Sequence, residues 1–353
     1  MGAVGPGIGL IANPVSARDI RRIITNANNL QIADRVNLVL RMLAAAGSCG
    51  VENVLMMPDK GGIRALLARG LERERSLHPS FPEVRFLEMD VTSTVDDTFR
   101  ASRMMQAAGV AAIVVLGGDG THRAVVRECG KVPVAGLSTG TNNAFPDLRE
   151  PTITGMAVGL YASGRLTAEQ ALAPNKMLEI AINEGERRDV ALVDAVLCTD
   201  TCIGARALWR TERLRALYVT YADPEAVGMS AIAGLLQPVG RRDPGGCAVE
   251  LCEDPARRRI VVHAPIGPGM VRPVGVVNWQ TMPRDCPFRV ADGAGVLALD
   301  GEREIELNPG DAVTITLRED AFSTVDVSQC MQIAARAGLL RTKQPSLFTD
   351  RER

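Results

Sequence analysis

The chain has 353 residues, enough for two domains that each bury a core. Lys and Arg total 40 against 41 Asp and Glu, a net charge of −1, and aromatic residues make up 3% of the chain. That balance excludes a strong basic field for nucleic acid and the aromatic platforms on which single strands stack.

The start, MGAVGPGIGLIANP, has no basic segment ahead of its apolar part, so no signal peptide is expected. No apolar run approaches the ~20 residues of a membrane span, and a cytoplasmic protein is expected. Gly5-Pro6-Gly7-Ile8-Gly9 looks like a dinucleotide glycine motif, but it precedes a strand and contains proline, so it is rejected as one. Ile8 to Ala12 predicts a buried strand that stops at Asn13-Pro14. Apolar spacing at Val36, Val39, Leu40 and Leu43 predicts a helix over 33–46. A strand over 51–57, a helix over 62–71 and a strand over 84–89 follow. Thr92-Ser93-Thr94 ahead of Asp96-Asp97 is a helix start, and that helix runs to about Ala108. Residues 110–116 are rich in branched side chains without polar alternation, as in a strand buried on both faces. Gly117, Gly118 and Gly120 then surround Asp119, before a helix predicted over 123–128 and a buried strand over 132–137.

This alternation predicts an open, mostly parallel α/β layer, whose ligands bind beyond the carboxyl ends of the strands. Three loops should share that rim: NPVSARD at 13–19, GGDGT at 117–121 and STGTNN at 138–143. From about Lys176 the texture changes. Short segments such as MLEIAIN, DVALVDAVLCT, CAVELCE, RRIVVHAPI, GVLALDGE and DAVTITLRE predict an antiparallel β domain. Residues 328–340 read as a helix, and the tail from Thr342 is polar and frayed. Eight cysteines are too sparse for a disulfide framework and suit a reducing compartment. The pairs Cys198/Cys202 and Cys247/Cys252 lack zinc spacing, and the chain has three histidines, His78, His122 and His263.

Three glycines in four positions cost backbone entropy, which close approach to the backbone or a positive φ would justify. A carboxylate among them suits magnesium or a hydroxyl to be deprotonated. Gly117, Gly118 and Gly120 let N–H groups reach phosphate oxygens, and Thr121 bonds a phosphate or caps the next helix. Arg123 reads equally as a phosphate clamp or as part of a solvated face, and His122 as an ordinary polar neighbour. Thr139, Gly140, Thr141, Asn142 and Asn143 offer hydroxyls and amides suited to a phosphate or ribose. Asp300-Gly301-Glu302 carries a hairpin-turn signal, which is compatible with a functional role.

These residues carry a resemblance. GGDGT at 117–121 is similar to the signature of the superfamily of NAD kinases, diacylglycerol kinases and sphingosine kinases. NPVSARD resembles the NPxSG motif of the lipid-kinase branch, STGTNNAF its GTxNDFA loop, and LALDGERE at 297–304 its DGE motif. Taken whole, the chain most resembles the acetoin catabolism protein X group, classed with the ATP–NAD kinases. The resemblance implies an NAD kinase/diacylglycerol kinase-like fold. Its parts are an open α/β nucleotide domain over 1–172, an antiparallel β-sandwich-like substrate domain over 173–321, and a segment over 322–353 that returns to the first. It also implies ATP and magnesium as cofactors, with ATP contacts at Asn13 and Ser16. Catalytic roles fall to Asp119 and Glu302, and metal contacts to Asp119 and Asp300. Ala17 stands where the motif usually has glycine. The GSTAY-like stretch typical of NAD kinases is not evident, and CTDTCIGARALW at 198–209 occupies its region. The expected function is a kinase acting on a hydroxyl of a small molecule, with NAD the first candidate, linked to acetoin catabolism. Another cofactor such as thiamine diphosphate, a lipid, or a non-catalytic nucleotide-sensing role are the alternatives. No nucleic-acid partner is expected, and a homo-oligomer is left open.

Overall fold

A computed structural model describes residues 7–14, 30–139, 143–199, 211–290, 295–301 and 303–342. β1 (Gly7–Ala12) is followed by α1 (Ile32–Ser48), β2 (Asn53–Met56), α2 (Ile63–Leu77), β3 (Glu83–Phe86) and α3 (Val95–Ala107). Then come β4 (Ile113–Gly117), α4 (Asp119–Glu128), β5 (Val134–Ser138) and α5 (Pro151–Ala162). The five strands are parallel in the order β3-β2-β1-β4-β5. The order reverses between β1 and β4, and in open α/β sheets the crevice at such a point takes the ligand.

Strand alternation sorts the two faces. Ile8, Leu10, Val114 and Leu116 share a core with Val39 and Met42 of α1, Leu67 of α2 and Val158 of α5. Ile11, Ile113 and Val115 pack on the other face with Met105 of α3 and Val125 of α4. The start signal read at 92–97 works as an N-cap: Thr94 accepts from the Asp96 N–H, and the Asp97 carboxylate accepts from Thr92 and Ser93. Helix α5 left no amphipathic stripe to read in TITGMAVGLYA, because it is apolar all round and packs against both α1 and the C-terminal helix.

A short α6 (Ala168–Ala171) leads to β6 (Leu172–Ile182), β7 (Arg187–Ala191), β8 (Asp194–Cys198) and β9 (Leu214–Val219). After α7 (Ser230–Gly234) come β10 (Gly246–Leu251), β11 (Ile260–Gly267), β12 (Met270–Met282) and β13 (Pro287–Arg289). The last elements are β14 (Gly295–Leu299), β15 (Arg303–Leu307), β16 (Val313–Val325) and α8 (Val327–Arg336). A seven-stranded antiparallel sheet runs β11-β12-β10-β9-β8-β14-β15.

MLEIAIN and DAVTITLRE do not join that sheet. They form β6 and β16, an antiparallel pair that extends the first sheet to nine strands, with β7 beyond β6 and β13 on β16. The 13-residue β16 is long enough for two tasks. Val313, Ile315 and Leu317 pack toward the second sheet, while Thr324 pairs with Val134 of β5 and Val325 lies in the first core. Cys330 and Ala334 of α8 lie in that first core too. Among the described residues no helix is long and apolar enough to cross a membrane. Cys247 and Cys252 are buried free thiols, and Cys202 lies outside the described residues.

Helices α1 and α5 touch through glycine. A Cβ on Gly155 would sit 2.3 Å from the Met42 carbonyl oxygen, and one on Gly159 would sit 2.6 Å from Cys49 Cβ. Gly155→Ala should therefore push the helices apart and cost about 1–3 kcal/mol in urea unfolding. Ile153→Ala on the same helix, at a side chain 41% exposed, should cost much less. Equal costs would contradict this packing.

Candidate active site

The buried strand β4 ends at Gly117, and α4 begins almost at once. Gly118 is its N-cap, with φ −90° and ψ −173°, and the Gly118 carbonyl accepts from the N–H groups of Thr121 and His122, both at 3.1 Å. The helix thus starts at Asp119, four residues before the predicted Arg123. An acid in the first turn and a glycine N-cap favour that early start, whereas glycine content alone reads as loop. None of the three glycines takes left-handed backbone. Gly117 serves space instead: a Cβ there would lie 2.6 Å from Thr121 Cβ, because Thr121 folds back over the end of β4.

Asn13, just past β1, donates from Nδ2 to Thr121 Oγ1 at 3.3 Å. The first and second rim loops therefore meet where the strand order reverses. Arg35, in the first turn of α1 and 1% exposed, donates to the Asn13 carbonyl at 2.8 Å. Sequence reasoning missed Arg35. The available signal was a charged residue beside Val36 and Val39 on the apolar stripe.

Asp119 is 9% exposed, and its two oxygens accept from the N–H groups of Ala144 (3.0 Å) and Phe145 (2.9 Å). It therefore anchors the exit of the third rim loop. Asn143 closes that loop with a bond to Ser138 Oγ at 2.9 Å, and Thr139 is buried at its start. Ser16, Gly140, Thr141, Asn142 and Glu302 lie outside the described residues.

The second sheet reaches the same peptide from the opposite side. Tyr221, just past β9, donates its hydroxyl to the Ala144 carbonyl at 2.6 Å. Arg241 donates to the same carbonyl and covers the rings of Tyr221 and Phe145, 4.8 and 5.6 Å from their centroids. Burial and the carboxylates of Asp119, Asp300 and Asp194 keep the Tyr221 hydroxyl protonated, against the pull of Arg241. Buried Lys176 holds the loop that carries Arg241, donating to the carbonyls of Gly240, Asp243 and Gly245 at 2.8–3.0 Å. Neither Tyr221 nor Lys176 has a local motif that marks it in the sequence.

Asp300 is fully enclosed. Its carboxylate accepts from the N–H groups of Leu192, Val193 and Asp194 at 2.8–3.2 Å, and Arg123 Nε lies 3.9 Å away. Burial and the neighbouring Asp194 push its pKa up to about 7, opposed by Arg123 and the backbone donors. Arg123 pairs with Asp189 at 3.0 Å and is 4% exposed. It is neither a phosphate clamp nor part of a solvated face. It sits on the inner side of α4, where β7 of the first sheet supplies Asp189 and the turn after β14 of the second supplies Asp300. Asp300 spends its oxygens on backbone and Arg123, so direct metal ligation is not what its surroundings offer. Among the described residues no group of three His, Cys, Asp or Glu side chains is placed to hold a metal.

His122 is fully buried on the Phe145 ring, with centroids 5.7 Å apart. Its Nδ1 lies 2.9 Å from the Gly118 carbonyl, an acceptor only, so Nδ1 carries the proton. Burial pushes its pKa down to about 4, and the ring is neutral at pH 7.

The fold and this rim define a kinase-like, nucleotide-binding class of protein. Residues 20–165 match the model of the ATP-NAD kinase N-terminal domain, and residues 176–320 that of the acetoin catabolism protein X C-terminal domain. A crystal structure of yeast NADH kinase complexed with NADH superposes with a TM-score of 0.52 at 11% identity, over 97% of this chain and 90% of that one. Acetoin catabolism protein X of Cupriavidus necator is 58% identical over 342 residues, 96% of this chain and 95% of that protein. The chain belongs to the acetoin catabolism protein X family, within the NAD kinase-like group.

The buried His122 makes stability depend on acid. Its folded pKa of about 4 lies below the unfolded value of 6.5, so its contribution is complete above pH 6.5 and is lost as pH falls toward 4. His122→Asn keeps a donor for Gly118 but does not titrate. Between pH 7 and 4 the wild type should lose ~3 kcal/mol more than the variant in urea unfolding. Parallel pH profiles would show that the ring is hydrated or already charged.

Proposed function

We propose that the chain is an ATP- and magnesium-dependent kinase that phosphorylates a hydroxyl of a small molecule. The observation that carries this reading is the Asn13–Thr121 hydrogen bond at the reversal of strand order, with Asp119 opening α4 beside it. The N-terminus of α4 favours anions, so Gly117, Gly118, Gly120 and Thr121 hold phosphate oxygens there. Thr139 and Asn143 add polar groups from the third loop, together with Gly140, Thr141 and Asn142 by motif. Asn13 and Ser16 contact the nucleotide from the first loop. In the division we propose, residues 1–172 bind nucleotide, 173–321 bind acceptor, and 322–353 return to the first part.

Magnesium is compatible with Asp119, because its carboxylate stands at the start of α4 and Mg²⁺ uses only one or two carboxylates besides water and phosphate. Magnesium supplies charge compensation when bound. Asp119 holds it or takes the proton of the acceptor hydroxyl, and Glu302 is a second base by its motif. Asp300 contributes by keeping Arg123 and the 192–194 turn in place.

NAD is the first candidate acceptor, supported by the NADH kinase likeness, and the departure at 198–209 keeps thiamine diphosphate and lipids as alternatives. The relative's name supports a link to acetoin catabolism. One observation favours a second reading, a non-catalytic nucleotide sensor: both Asp119 oxygens already hold backbone.

Asp119→Asn should reduce turnover by ~10²–10⁴-fold, the range of general acid–base contributions. ATP affinity by calorimetry should change far less. The assay is a screen of NAD, thiamine diphosphate and other hydroxyl-bearing acceptors with labelled ATP. If the wild type labels no acceptor while Asp119→Asn alters ATP binding, the sensor reading replaces the kinase.

A further inference from the structure

The second sheet carries a cleft remote from Asp119. Tyr221, beside Asp119, lies five residues past Ala216 of β9, roughly 16 Å along an extended chain. The pairings Leu197↔Ala216, Ala216↔Glu250 and Glu250↔Asn278 set these four side chains in one row across β8, β9, β10 and β12. The next row is Ala195, Tyr218, Ala248 and Gln280. Both rows face the first sheet, since Leu197, Tyr218 and Ala248 share a core with Leu178 and Ile315.

The inner face of a sandwich is normally apolar along its length. Here it changes character. Ala216 and Ala248 are small, and Glu250, Asn278 and Gln280 are polar and exposed. Phe288 of β13 meets Tyr218 edge-on, at 6.4 Å between centroids, where the apolar packing stops. Beyond it lies a cleft of about 440 Å³, within the range of small-molecule sites.

Its charge is one-sided. Arg215, Arg257 and Arg289 line it, and Glu250 is the one carboxylate among the described lining residues. Arg257 lies 3.5 Å from Glu250, which offsets one charge. Arg215 donates through Nη1 to the backbone carbonyls of Glu212 and Leu214, and these leave its charge uncompensated. Among the described residues two positive charges remain, at the mouth of a pocket floored by methyl groups and walled by an aromatic ring.

We infer that this cleft binds a small organic anion. Arg215, Arg257 and Arg289 hold its phosphate or carboxylate, and Ala216, Ala248 and Phe288 take its flat apolar part. The site is independent of the nucleotide rim and does not rest on the kinase reading.

The probe is phenylphosphonate, which carries both features and does not hydrolyse. Calorimetry should detect its binding to the wild type, to Asp119→Asn and to ATP-saturated protein alike. Arg215→Gln combined with Arg289→Gln should weaken binding about tenfold or more, with an unchanged melting temperature. Inorganic phosphate and benzyl alcohol, each with half the chemistry, should bind more weakly by a similar factor. Absence of binding at millimolar probe, equal affinity in the arginine variant, equal affinity for inorganic phosphate, or displacement by ATP would each overturn the proposal.

Discussion

Everything around the rim depends on one dipeptide, Ala144–Phe145. Asp119 accepts from the N–H groups of both residues from the side of the parallel sheet. Tyr221 and Arg241 donate to the Ala144 carbonyl from the side of the antiparallel sheet. Buried backbone polar groups must be paired, and here the pairing partners belong to two different layers. The peptide therefore fixes the spacing between the sheets at the place where the ligand crevice opens. It also sets the third rim loop, which enters the peptide directly from Asn143.

A second set of buried charges keeps the layers in register below that peptide. Arg123 enters from α4, Asp189 from β7, and Asp300 from the turn after β14. Removing Arg123 would leave Asp300 without its cation in a low-dielectric interior, and breaking a buried pair in this way costs more than the assembled pair stabilises. Asp300 adds three backbone donors from the 192–194 turn, so the turn is tied to the same group. This accounts for a DG turn whose aspartate is fully enclosed.

The parallel layer was legible because its strands are continuous apolar runs separated by capped helices. The location of the rim was legible for the same reason: Asn13 and Gly117 end neighbouring strands. What escaped was whatever depends on pairing across the layers. Arg123 lies in a sequence indistinguishable from a solvated helix face, and only β7 and β14 reveal its partners. The segments of β6 and β16 carry the alternation of any antiparallel pair, and nothing local says which sheet they join. Helix α5 lacks a polar face because α1 and α8 cover it. Glycine content misled at Gly118, where the residue caps a helix, and at Gly117, where it makes room for Thr121.

Strand β9 joins the two features of the second layer that bear on ligands. Its far end delivers Tyr221 to the Ala144 peptide, while Ala216 and Tyr218 floor the arginine-lined cleft. Shared membership of a strand is not coupling. Two sites communicate only through an element with two arrangements that each ligand favours differently. Tyr221 is held by Ala144 and covered by Arg241, and Arg241 sits on a loop held by three bonds from Lys176. Tyr218 is locked between its cross-strand partners Ala195 and Ala248 and the ring of Phe288. Both ends of β9 are thus over-determined by contacts that neither ligand has to break. The physical consequence is that an anion in the cleft and a nucleotide at the rim bind without altering each other's affinity.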